Sequence, residues 1–356
     1  MFENIFEYYD FFFREAGIPH IMVKGHIKAS AKELGDAPSS QGSYYMVFVN
    51  GNWRFIHPHW GSCYVRSIRS QSDWQLVEGV AGNKSGLASI VSPDILAFDR
   101  EDFWFFIDPE VMAHFFLSNQ AEHQLLARPI KQEEYRQMAR LYSPFFLGEL
   151  KSINPAKCHL DVEESVVIEI GLSDDDNMHY DYGIFKRAID PDWKHTKEFR
   201  RLVFMERLGD KLRIRFDMPH IGVFKFEVSA RKHLSAPSGQ TLCEYLIDNK
   251  MPNFSCRPNP KNELNEWGVG PNTKQLGLEP ETEGGAIEAH QGKAVVVFRQ
   301  TKTEDPALFS YRLEDERGRS EELKDYIRNA KYVDKSSVII KTPHPGKYVL
   351  KVNSKQ

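Results

Sequence analysis

One sixteen-residue phrase occurs twice in this chain, and its alternation constrains the fold more than any other feature. "RIRFDMPHIGVFKFEV" at 213–228 lines up with "SVIIKTPHPGKYVLKV" at 337–352, an offset of 337 − 213 = 124 residues. Apolar side chains fall on alternate positions on either side of Pro219-His220 and Pro343-His344, and Gly222 matches Gly346. A period of two sends successive side chains to opposite faces of a strand, so each copy reads as a two-strand unit with one buried face. The neighbouring runs "EESVVIEIGL" and "FRRLVFMERLG" share this short, turn-punctuated texture, which is that of a β-sandwich. Two related β domains are expected, over 153–250 and 273–356, with the Pro-, Asn- and Gly-rich stretch 251–272 as a linker.

Residues 1–152 read differently. Phe2, Ile5, Phe6, Tyr9, Phe12, Phe13 and Ala16 recur at helical spacing, with Gly17 where a helix would stop. "IPHIMVKGHIKAS" then alternates as a strand does, and two apolar runs flank Asn50-Gly51, the dipeptide suited to a tight hairpin turn. Further on, "DFWFFIDPEVMAHFFLS" predicts an apolar strand and a helix entered through Asp108-Pro109. "RPIKQEEYRQMARLYSPFF" predicts another short helix closing near Pro144. The fold class is α+β: a mixed first domain followed by β domains.

Bulk properties narrow the function classes. The chain has 356 residues, 41% hydrophobic and 27% charged, enough for two or three ordinary cores. Forty-six basic residues against fifty acidic ones give a net charge of −4 with no basic block, so nucleic acid is not an expected partner. No apolar run approaches the ~20 residues of a spanning helix, and acids stand where a signal peptide would carry lysines, so a cytoplasmic protein with no membrane span is expected. Cys63, Cys158, Cys243 and Cys256 form no C-x-x-C pair, which argues against a zinc ribbon or a dense disulfide framework. No cofactor is indicated.

The hairpin ends on a crowd: His57, Pro58, His59, Trp60 and Gly61, with Cys63 just beyond. As an extended segment it would send His57 and His59 to opposite faces, so the two could not chelate one metal, and no metal site is expected. Cys63 with His59 forms a weak substitute dyad, since no acid is placed to orient the imidazole. Tyr44, Tyr45, Trp53, His57, His59 and Trp60 are candidates to line a cleft, although alternating aromatics also serve as plain cross-strand packing. "GLSDDDNMHYD" lacks the ligand spacing of an EF-hand loop and reads as a solvated turn.

Taken in order, "AGIPHIMVKGHIK", "VFVNGNWRFIHPHWG" and "DPEVMAHFF…QLLARPI" resemble the transglutaminase-like domain of the kyphoscoliosis peptidase and hillarin family. The later phrases "DPDWKH", "RLVFMERLGDKLRIRFDMPHIGVFKFEV", "EWGVGPN" and "PGKYVLKV" resemble the immunoglobulin-like modules that follow it. The resemblance implies a papain/transglutaminase-like domain over 1–152, N-terminally short, followed by two immunoglobulin-like β-sandwiches. It also implies protein partners of the cytoskeleton, of filamin or septin type.

A further implication is a catalytic design. A cysteine at a helix N-terminus supplies the thiolate, a histidine on a strand acts as base, and an aspartate fifteen positions later holds the imidazole in its useful tautomer. Residue by residue, the design is vacant in this chain. Counting back from Ala16-Gly17-Ile18 places the cysteine at about Phe2, and an upstream extension beyond Met1 would bear on that position alone. The histidine of the family's His-Ala-Trp-Asn-x-Val falls on Gly42 of "GSYYMV", and 42 + 15 places the aspartate at His57. The expectation is a catalytically inactive protein-interaction or cytoskeletal scaffold. Two alternatives stay open: a cysteine-type peptidase or transglutaminase with displaced residues, and a small-ligand protein reusing the aromatic cleft.

Overall fold

The computed structural model describes residues 4–28, 41–62, 101–187, 201–233, 239–260, 284–300, 308–331 and 335–355, with shorter pieces that include 64–66, 74–79, 95–97, 266–268 and 277–282. The described residues are mostly β-sheet with a few short helices. No helix among them is long and apolar enough to cross a membrane.

Helix α1 (Ile5–Glu15) starts at Asn4, whose side chain accepts the Glu7 amide hydrogen at 3.1 Å, and it stops before Gly17, where φ is +65°. Phe13 is buried on its inner stripe, with Phe6 and Tyr9 packed beside it. Phe12, expected on that stripe, is 47% exposed, because the helix meets the sheet along a narrower line than seven apolar positions suggest. Strands β1 (His20–Ile27), β2 (Gln41–Val49) and β3 (Asn52–Ile56) run antiparallel. Phe105–Ile107 pairs outside β3 and Phe116–Ser118 outside β1, which completes a five-stranded sheet. Asn50 and Gly51 take φ of 52° and 79°, the double left-handed turn that their identities predict. Alternation along β2 sends Tyr44 and Met46 into one core with Val23, Phe55 and Phe116, while Tyr45 and Val47 meet α1 on the other face.

A β-sandwich follows. One sheet orders Ser152–Asn154, Ser165–Gly171, Lys211–Asp217, Val203–Leu208 and Glu266–Trp267. The other orders His159–Val162, Gln240–Asn249, Gly222–Arg231, His179–Arg187 and Trp74–Gly79. The last of these comes from within the first 152 residues and adds to the edge of the sandwich, a pairing that its sequence does not announce. Ile168, Met205, Phe216, Phe224, Phe226 and Tyr245 fill the space between the sheets.

The repeated phrase has a topological meaning. Lys211–Asp217 pairs within one sheet and Gly222–Arg231 within the other, so Pro219-His220 carries the chain across the sandwich instead of closing a hairpin. Its second copy behaves alike. Lys335–Lys341 belongs to a four-stranded sheet and Tyr348–Lys355 pairs with Leu308–Asp315 in a separate two-stranded one. Phe298, Leu313, Val338 and Ile340 fill that smaller core.

Two local expectations are corrected. The helix predicted to close near Pro144 is two helices, Gln132–Gln137 and Ser143–Leu147, separated by Arg140–Leu141, which pairs with Gln240–Asn249. Pro144 starts the second helix, as proline in a first turn does, and Leu141 and Phe145 enter the sandwich core. The acidic run "DDD" is not wholly solvated. Asp176 is buried, accepts the Tyr180 hydroxyl at 2.8 Å and pairs with Arg207, which also pairs with Glu266. An inward-pointing guanidinium needs both carboxylates, and periodicity does not reveal that.

The sandwich is bolted to the N-terminal unit by a buried polar network. Glu244 accepts the Tyr142 hydroxyl at 2.7 Å and faces Lys225 at 3.3 Å and Arg140 at 3.8 Å. Arg140 in turn donates to the Lys28 carbonyl at the end of β1, at 2.9 Å. Phe146 packs on Phe103 and Phe115 across the same junction.

Candidate functional site

The N-terminal turn of α1 lies over the middle of β2, beside the end of β3. The Phe6 carbonyl accepts the Tyr45 hydroxyl at 2.8 Å, and the Phe6 ring lies 6.4 Å from that of His57. Gly42 shares the Tyr44 face of β2, opposite to the face on which α1 packs, so only His57 lies near the helix start. His57 is a structural residue.

His57 leads into helix α2 (Pro58–Ser62), where the sequence suggests extended chain. Its Nδ1 accepts the Trp60 amide hydrogen at 3.1 Å and its carbonyl accepts that of Gly61 at 2.9 Å. Its own N–H donates to the Trp104 carbonyl at 3.0 Å. The imidazole therefore does the work of an N-cap side chain, usually given to Asp, Asn or Ser, and Pro58 occupies the first helical position, where proline is pre-set. This use of histidine is why the turn escapes a sequence reading. The ring stacks on Trp60 at 4.0 Å and 11° and meets the edge of Trp104 at 6.1 Å. His57 is 4% exposed, and burial, with the charge of His59 adding to it, lowers its pKa to about 3. At neutral pH it is an uncharged hydrogen-bond acceptor. His59 points outward and is exposed, so the two imidazoles diverge for a helical reason, not through strand alternation.

Gly42 faces Gly25 across β1 and β2. A Cβ built on Gly42 would lie 2.8 Å from Cγ2 of Ile27 and 3.4 Å from Cε2 of Phe116, so packing occupies the direction a histidine side chain would take. Gly42→His is expected to cost about 1–3 kcal/mol, the usual range for overpacking, as measured by urea denaturation. An unchanged midpoint would show that Ile27 yields freely. Phe2 and Cys63 lie outside the described residues.

The aromatic candidates pack against one another. Tyr44 is buried, donates to the His123 carbonyl at 3.2 Å and meets Phe116 edge-on at 4.3 Å. Tyr45, on the opposite face, is equally buried, and burial, with the Asp10 carboxylate adding to it, pushes its hydroxyl up to about 12. Trp53 leans on Phe48 at 5.4 Å. These side chains thus divide between two faces and do not converge on one cleft. A small apolar cavity does lie on the Tyr44 side, lined by Tyr44, Phe55, Met112, Phe116, Gln124 and Ile130.

Sequence reasoning missed one imidazole–carboxylate pair. His20 Nε2 lies 2.9 Å from Asp10 Oδ1, and its Nδ1 lies 2.9 Å from the Ile18 carbonyl. Both ring nitrogens are engaged, and Asp10 also pairs with Arg14 at 2.8 Å, so the pair latches α1 to β1. Its signal is an acid and a histidine ten residues apart across a helix–turn–strand. Among the described cysteines, burial pushes the Cys243 and Cys256 thiols up, opposite to what a thiolate nucleophile requires.

Comparison with known proteins places these observations. Residues 132–260 match the family described as "KY-like, immunoglobulin-like domain". Across 96% of its length the chain is 23% identical to Hillarin of Drosophila melanogaster and covers 42% of that protein. It is 22% identical, again over 96% of its length, to "Lim and transglutaminase domain protein ltd-1" of Caenorhabditis elegans, of which it covers 47%. The chain fits a KY- and hillarin-like family. It spans less than half the length of these two relatives. Within the KY- and hillarin-like frame, the immunoglobulin-like match takes in all of the main sandwich's strands except Trp74–Gly79 and Glu266–Trp267, together with the two short helices before it. Solved titin tandems also align: domains Z1Z2 in complex with telethonin are 14% identical over 56% of this chain and 85% of theirs, with a TM-score of 0.17. The I-band fragment I67–I69 is 10% identical over 55% of this chain and 56% of its own, with a TM-score of 0.16.

Proposed function

We propose that this chain is a transglutaminase-like protein without acyl-transfer chemistry, working as a cytoplasmic interaction scaffold for cytoskeletal proteins. The observation that carries this reading is His57. By the family spacing it falls where the orienting aspartate would be, and it is used up as a buried, neutral helix cap. Gly42, where the family spacing puts the base, has no side chain, and a Cβ there would press on Ile27 and Phe116 on the face of β2 away from α1. A helix packed on one face of an antiparallel sheet supports the α+β, transglutaminase-like reading of the N-terminal unit. The family resemblance supports the cytoskeletal setting. Sheet edges and exposed faces, not a cleft, are the surfaces left for partners.

Purified chain incubated with an amine donor and a glutamine-rich acceptor protein is expected to incorporate no amine above a Cys63→Ala control, and to cleave no peptide. Amine incorporation or cleavage that disappears in Cys63→Ala would overturn the proposal in favour of a displaced cysteine enzyme.

A further inference from the structure

The outer face of the main sandwich brings three metal-ligating side chains together, away from the His57 region. His159–Val162 pairs in parallel with Gln240–Asn249, so that Asp161 stands beside Asp248. His159 precedes Asp161 by two residues and shares its face. One ligand atom from each of His159, Asp161 and Asp248 lies within 4.8 Å of the others. The place already attracts a cation: the Lys250 ammonium hydrogen-bonds to Asp248 and lies 3.3 Å from Asp161.

We propose that His159, Asp161 and Asp248 form a zinc-binding site from which Lys250 is displaced. Zinc takes one imidazole nitrogen and two carboxylate oxygens readily, with bonds of about 2.0–2.2 Å that bring tetrahedral ligand atoms to about 3.3 Å apart. The contraction from within 4.8 Å is a matter of side-chain rotation, because two hydrogen-bonded strands already fix the three Cα positions. Imidazole in the set favours zinc over calcium or magnesium, which prefer all-oxygen shells. Lys250 has a long, half-exposed side chain that can swing into water as the metal enters, exchanging one counter-charge for two. The three protein ligands leave a fourth position to water or to a donor from a bound partner.

Titration of the full chain with Zn²⁺ by calorimetry, and with Co²⁺ by visible absorption, tests this site. One equivalent is expected to bind, with cobalt bands free of thiolate charge transfer. His159→Ala and Asp248→Asn should each weaken binding at least about tenfold, and Lys250→Met should tighten it by removing the competing ammonium. Circular dichroism of the same variants checks that they fold. Binding that survives His159→Ala, binding that carries a thiolate signature, or no binding by either the native chain or Lys250→Met would overturn the proposal.

Discussion

Glu244→Ala is expected to lower the stability of the chain by about 3–5 kcal/mol, because it leaves two buried cations without their shared carboxylate. Glu244 is 4% exposed, and its oxygens face Lys225 at 3.3 Å, Arg140 at 3.8 Å and the Tyr142 hydroxyl at 2.7 Å. Only in part does Glu227 compensate, at 3.9 Å from Lys225, and it is itself engaged by Thr241 at 2.6 Å. The damage should appear at a particular place. Arg140–Leu141 holds the chain between the N-terminal sheet and the sandwich, so amide exchange in 140–142 and in 242–246 should accelerate before that in the sandwich centre. Glu244→Gln retains an acceptor for Tyr142 and should lose less. A Glu244→Ala variant within about 1 kcal/mol of the native chain would mean that water reaches the network and that the junction is looser than described.

His57 carries the second large effect. His57→Ala removes the acceptor for the Trp60 amide and a ring packed on Trp60, and should cost about 3 kcal/mol at neutral pH. His57→Asn keeps a capping oxygen and should recover roughly 1 kcal/mol of that. The pH dependence separates the cap from mere bulk. In the unfolded chain the imidazole gains its proton near pH 6.5, whereas in the fold it holds none until about pH 3. Between these values the unfolded state binds more protons, so stability is full above pH 6.5 and falls as the solution is acidified, by up to about 1.4 kcal/mol per pH unit for one such group. His114, lowered to about 4 first by its burial, adds a second proton of the same sign. His57→Asn should therefore lower the slope of stability against pH between 6 and 4.5 by up to about 1.4 kcal/mol per pH unit.

The strands and turns were legible because their causes are local. Asn50-Gly51 demanded its left-handed turn, the alternation of β2 divided Tyr44 from Tyr45, and the repeated Pro-His phrase marked a duplicated strand pair. Other features answer to distant partners. Trp74–Gly79 finds its ladder on a strand more than a hundred residues later, and Asp176 goes inside because Arg207 waits there. Less of the His57 region was legible. The resemblance drew attention to Gly42 and His57, but α2 stayed hidden, since a histidine cap gives none of the signals that aspartate or serine would. Nor does sequence spacing alone pair His159 and Asp161 with Asp248, which depends on a parallel register.

The central claim is that His57 is a buried helix cap, not a base. Nitrogen NMR of the His57 ring, assigned by comparison with His57→Asn, tests it most directly. A neutral ring with an unprotonated Nδ1, unchanged from pH 8 down to 4.5, is the predicted result. A His57 that titrates near pH 6.5, with Nδ1 carrying the proton, would contradict the account.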